Sequence, residues 1–105
     1  MEAKAPAGVE VRLSAGVALP QTLPEGSVMT FSVDYEFLPG HMPSSSNRYF
    51  LVIRPPQGTP ARIAVQLKPK DTLMTITNWP PSDGPFWAHL EDVSGRRISE
   101  PVQLR

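Results

Sequence analysis

The sequence predicts an all-β fold, a sandwich of seven short antiparallel strands. Three observations carry that expectation. First, the stretch Val28–Phe37 alternates, with Met29, Phe31, Val33, Tyr35 and Phe37 on one parity and Thr30, Ser32, Asp34 and Glu36 on the other. That is the period of a half-buried strand, one side dry and one side wet. Second, most of the 13 prolines in the 105 residues stand between periodic segments rather than inside them. Proline cannot donate to a ladder, so this punctuation separates short strands. Third, no proline-free window of helical length shows a 3.6-residue apolar period.

The elements follow in order along residues 9–105, after a flexible lead-in over residues 1–8. Val9, Val11 and Leu13 alternate with Glu10 and Arg12 in a first short strand, Val9–Leu13. Ser14–Pro24 reads as a looser edge segment that changes sheets, and Glu25-Gly26-Ser27 as the turn launching Val28–Phe37. Pro39–Asn47, with its glycine and serines, is a loop. Arg48–Arg54 places Tyr49, Leu51 and Ile53 on one side and Phe50 and Val52 on the other. Two largely apolar faces suit a central strand. Arg62–Lys68 turns Ile63, Val65 and Leu67 inward. Thr72–Asn78 is expected to turn Met74 and Ile76 inward. Trp79–Pro85 is a tight corner whose tryptophan caps the core. Phe86–Asp92 buries Phe86, Ala88 and Leu90, Val93–Arg96 is a hairpin connection, and Pro101 makes Ile98–Leu104 an edge strand.

Composition narrows the function classes. With no cysteine there is no disulfide, thiolate metal site or thiol nucleophile. A formal net charge of +0 argues against a dedicated nucleic-acid or membrane-surface protein. No apolar run approaches the length of a membrane span, and Met1–Gly8 lacks the apolar core of a signal peptide. The two ends are consistent with a module of a longer protein.

The spacing of Gly26-x-x-Met29-x-Phe31-x-Val33 is similar to the B strand of immunoglobulin domains. Met74-x-Ile76-x-Asn78-Trp79 resembles their E strand, and Asp83-Gly84-x-Phe86-x-Ala88 with Asp92-x-x-Gly95 resembles the F strand and F–G hairpin. The resemblance extends to fibronectin type III-like sandwiches and implies a Greek-key arrangement without the inter-sheet disulfide. It sets Val33 and Ala88 where the two cysteines stand, Tyr49 or Leu51 at the place of the buried tryptophan, and Phe86 at that of the corner tyrosine. By the same analogy, an extracellular or cell-envelope location is implied.

Residues able to do chemistry are sparse. His41 and His89 are the only histidines. Ser44–Ser46, His41 and Asp34 lack any framework that would order them as a triad, and the adjacent acids Glu91 and Asp92 point to opposite faces of a strand. No metal-ligand spacing and no phosphate-cradling glycine loop is present, so neither metal nor cofactor is expected. Two surface features remain. Arg48, Arg54, Arg62 and Lys68 fall in a stretch without acids; if the Arg62–Lys68 strand lies beside Arg48–Arg54 they make a mildly basic strip able to hold a polyanion, the alternative being a solvated face. If Phe86, Ala88 and Leu90 face the core, Trp87 and His89 face away. On the neighbouring strand Phe50 and Val52 do the same, so Phe50, Val52, Trp87 and His89 make one outer aromatic patch.

The sequence therefore points to a non-catalytic module of a larger protein, a spacer or a protein–protein contact unit. Its partner is another protein or an adjoining domain of the same chain. The alternative is a carbohydrate-binding sandwich with Trp87 as its stacking platform.

Overall fold

Two antiparallel sheets pack face to face, as the computed structural model describes them over residues 8–44, 48–79 and 85–105, the Ala15 side chain excepted. Residues 1–7 of the expected lead-in, 45–47 of the expected loop Pro39–Asn47, and 80–84 of the tight corner lie outside the described residues. The strands are β1 (Val11–Leu23), β2 (Gly26–Phe37), β3 (Tyr49–Arg54), β4 (Ala61–Val65), β5 (Lys70–Thr77), β6 (Phe86–Glu91) and β7 (Val102–Leu104). One sheet has the order β1-β2-β5, the other β4-β3-β6-β7.

Strict alternation in β2 builds one wall of the core. Met29, Phe31, Val33, Tyr35 and Phe37 are all buried, while Thr30, Ser32, Asp34 and Glu36 on the opposite face are partly exposed. The facing wall comes from Tyr49, Leu51 and Ile53 of β3 and Phe86, Ala88 and Leu90 of β6. Trp79 closes one end, edge-on to Phe31 at 5.8 Å and stacked on Phe86 at 6.1 Å. Val33 and Ala88 are both buried in this core, so ordinary packing occupies the positions the resemblance assigns to cysteines.

Two tyrosines fasten loops to the sheets. The phenolic oxygen of Tyr35 accepts the Lys68 amide at 2.7 Å, and that of Tyr49 accepts the Ser44 amide at 2.8 Å. Each ring is buried and each oxygen satisfies a backbone donor that would otherwise be costly to desolvate.

β1 departs from expectation. Val11–Leu13 of the expected first strand and Ser14–Leu23 of the expected looser segment form one long strand that pairs with β2, with a bulge between Ser14 and Gly16. The extra residue inverts parity: Leu13 pairs with inward Tyr35, but beyond the bulge Gly16 and Ala18 pair with inward Val33 and Phe31. Counting its two halves separately, the described residues form eight strands, one more than expected.

β1 also ties the two sheets together along one side. The Glu10 and Val11 amides donate to the Ile98 carbonyl, the Arg105 amide to Gly16, and the Ala18 amide to Arg105. The final strand is shorter than Ile98–Leu104. β7 begins only after Pro101, and residues 97 and 99 make isolated bridges to β6 and β1.

β5 corrects a second expectation. Its register pairs Leu73 with Val33, Thr75 with Phe31 and Thr77 with Met29. Paired residues share a face, so Leu73, Thr75 and Thr77 turn inward. Met74 and Ile76, expected in the core, are 80% and 59% exposed.

Candidate functional site

The outer face of β4-β3-β6-β7 brings the four patch residues together. Val52 lies opposite His89, Phe50 opposite Glu91, and Arg54 opposite Trp87 across the β3–β6 ladder. Their parity is as expected, but the patch is not open. Val52 is 6% and His89 2% exposed, Phe50 is half-buried, and Trp87 alone stands out at 41%. Charged side chains form the roof. Arg62, opposite Val52 on β4, lays its guanidinium 3.7 Å above the Phe50 ring. Its Nε donates to Glu91 Oε1 at 3.3 Å, and Glu91 Oε2 accepts from His89 Nε2 at 2.7 Å. An ionised carboxylate only accepts, so Nε2 carries the imidazole proton.

The electrostatics agree with that chain of bonds. Burial lowers the His89 pKa below its usual 6.5, and Arg97 and Arg54 reinforce the effect against the raising influence of Glu91. His89 is thus a neutral donor near pH 7. For Glu91, burial acts to raise the pKa, but the hydrogen bonds from His89 and Arg62 outweigh it and hold the carboxyl below 4.5. Glu91 and Asp92, expected to point to opposite faces of a strand, have separate duties. Asp92 Oδ1 accepts from the Ser94 hydroxyl and from the Ser94 and Arg96 amides, and Oδ2 accepts from Arg96 Nε. Led by the Ser94 hydroxyl, these bonds bring its pKa down to about 2. They close the β6–β7 connection over Gly95, whose φ of 89° suits a residue without Cβ.

The basic strip is interrupted. Arg62 is spent on Glu91, and Lys68 lies 3.8 Å from Asp71, while Arg48 and Arg54 are exposed. The imagined triad members serve elsewhere. Asp34 accepts from the Thr72 hydroxyl at 2.6 Å, His41 lies 3.9 Å from Glu10, and the Ser44 amide is bound to Tyr49. Among the described residues no group of three or more His, Asp or Glu side chains is placed to hold a metal ion.

A surface that sequence reasoning missed lies on the opposite sheet. Beyond the bulge, Val17 and Leu19 of β1 point outward, opposite Ser32 and Thr30 of β2, which in turn face Met74 and Ile76 of β5. The short hydroxyl side chains form the floor of an open groove of about 350 Å³, and the four apolar residues its two ridges. Thr30 bonds down to the Leu19 carbonyl at 3.1 Å, which leaves the floor low. On the other side of the bulge the same face is charged, with Arg12 bound to Glu36 at 3.0 Å. The signal in the sequence was the run Val17-Ala18-Leu19, but its facing depends on a bulge that no residue there announces.

No family model, curated protein or solved structure matches the chain.

Proposed function

We propose that this chain is a non-catalytic, immunoglobulin-like module of a larger protein and acts as a protein–protein contact unit. The observation that carries the reading is the exposed apolar groove of Val17, Leu19, Met74 and Ile76 beside the edge strand β5. Exposed apolar ridges of this kind mark contact surfaces. The Greek-key reading is supported by the order β1-β2-β5 and β4-β3-β6-β7. Because β4 joins β3 rather than β5, the fibronectin type III-like form of the resemblance fits better than the constant-type immunoglobulin order.

The partner in this reading is a second copy of the chain. Among the described residues no strand lies beyond β5, and between Thr72 and Thr77 it carries no proline and no charge to discourage pairing. Antiparallel pairing of two β5 strands about a two-fold axis through Thr75 sets Met74 beside Ile76 of the second copy. Lys70 and Asp71 then fall outside any like-charge pair. Such a contact is self-complementary and closes as a dimer.

Sedimentation of the wild type and of a Met74→Lys/Ile76→Lys double variant tests this. The wild type should dimerise with rising concentration and the variant remain monomeric with an unchanged far-UV spectrum. A wild type that stays monomeric at high micromolar loading overturns it.

A further inference from the structure

A second surface lies on the other sheet and is independent of the β5 contact. Between the bridge Glu91↔Arg97 and the pair Ala88↔Val102, the β7 side has more residues than β6, and the intervening chain bulges away with Pro101 exposed. The departure is held in place. Ser99, fully buried, accepts the Leu90 amide on its hydroxyl oxygen at 2.8 Å. Such irregularities re-aim side chains and often border binding sites. Here the bulge opens a cleft of about 270 Å³ lined by Arg54, Trp87, His89, Arg97 and Pro101.

The chemistry of this cleft is one-sided. Neither Arg54 nor Arg97 has an ion-pair partner among the described residues, and no carboxylate lines the walls. The nearby acid, Glu91, is paired elsewhere, one oxygen with Arg62 and the other with His89. Both guanidinium groups act on His89, opposing its protonation, so both charges bear on the same buried imidazole. The hydrogen bond to Glu91 holds that imidazole in place on one side of the cleft. Trp87, opposite Arg54 and 41% exposed, supplies an aromatic wall. Arginine forks match the planar geometry of a carboxylate, and Arg beside Trp is the composition of binding hot spots.

We propose that this cleft binds a carboxylate side chain from an acidic segment of a protein partner, with the carboxylate between Arg54 and Arg97 and its aliphatic stem against Trp87. The match is one of charge: two uncompensated cations at a cleft with room for a single acidic side chain. Recognition of acidic motifs by clustered arginines follows the same logic.

The test is titration of the full chain with a tetraglutamate peptide blocked at both ends, followed by amide chemical shifts and tryptophan fluorescence. Tetralysine, inorganic phosphate and a sulfated disaccharide serve as separate arms. Tetraglutamate should bind, perturb Trp87 and weaken as salt is raised. The Arg54→Gln/Arg97→Gln variant should lose at least about tenfold in affinity, while Arg48→Gln and the Met74→Lys/Ile76→Lys variant bind as wild type. Unchanged melting would show that the arginine variant is folded. Absence of tetraglutamate binding, equal binding by the double arginine variant, or binding of phosphate or the disaccharide in place of the peptide overturns the proposal.

Discussion

Tyr35 shows how much one atom can matter in a small sandwich. Its ring is sealed in the core and its oxygen accepts the Lys68 amide, which joins the β4–β5 connection to β2. Burial raises the phenol's pKa, so it stays protonated across ordinary pH. Tyr35→Phe keeps the ring and removes the acceptor. An unpaired amide costs about 1–3 kcal/mol, and urea unfolding should show a loss of that order with an unchanged denaturant slope. The ring's inward facing was legible in the alternation of β2. The amide it serves was not, because Lys68 is 33 positions away in the chain and no local pattern marks it.

At the scale of an element, β1 is the instructive case. The bulge past Ser14 turns Gly16 inward, where an added Cβ would stand 2.3 Å from Leu104 Cδ2 and 3.5 Å from the Gln103 carbonyl. Leu104 is itself buried, so it has little room to move aside. The closeness lets the Gly16 carbonyl accept the Arg105 amide at 3.1 Å and so fastens β1 to the end of the chain. Gly16→Val should cost about 1–3 kcal/mol, as overpacking commonly does, and should speed amide exchange at Arg105 and Ala18 before the β2–β5 ladder is affected. The sequence revealed the apolar alternation of Val9–Leu13 but read Ser14–Pro24 as a looser segment, so neither its strand nor the change of phase between the two halves was visible. A one-residue offset is small in a pattern search, yet it moves every later side chain to the opposite face. β5 is harder still. Leu73-Met74-Thr75-Ile76-Thr77 holds apolar residues on both parities, and pairing with β2 alone chose Leu73 for the core.

For the whole molecule, acid is the informative stress. His89 is held neutral in the fold with its pKa below 6.5, so between 6.5 and that lowered value the unfolded chain binds the extra proton. Stability therefore falls as pH drops through this window, by up to about 1.4 kcal/mol per pH unit for one proton. Below 4.5 Glu91 adds to the loss, because its carboxyl is stabilised as the anion in the fold and must be protonated there at a lower pH than in the unfolded chain. Urea midpoints measured from pH 7.5 to 5 should decline for the wild type. The decline between 6.5 and 5 should be reduced in His89→Gln, whose amide can still donate to Glu91. A wild-type midpoint that is flat over this range would contradict a neutral buried imidazole. The same ionic roof explains why the expected aromatic patch is closed: the parity of Phe50, Val52, Trp87 and His89 was correct, but Arg62 and Glu91 reach over it from other positions.

Periodicity and punctuation by themselves determined the all-β class, most strand positions and the facing of β2, β3 and β6. These depend on the short-range geometry of the backbone, which alternates side chains wherever a strand forms. Only the tertiary structure decided which outer face is open. That outcome depends on ladder register, on one inserted residue in β1, and on ion pairs such as Arg62 with Glu91, 29 positions apart. Contacts of that kind are fixed by two layers meeting in space, and no window of neighbouring residues contains them.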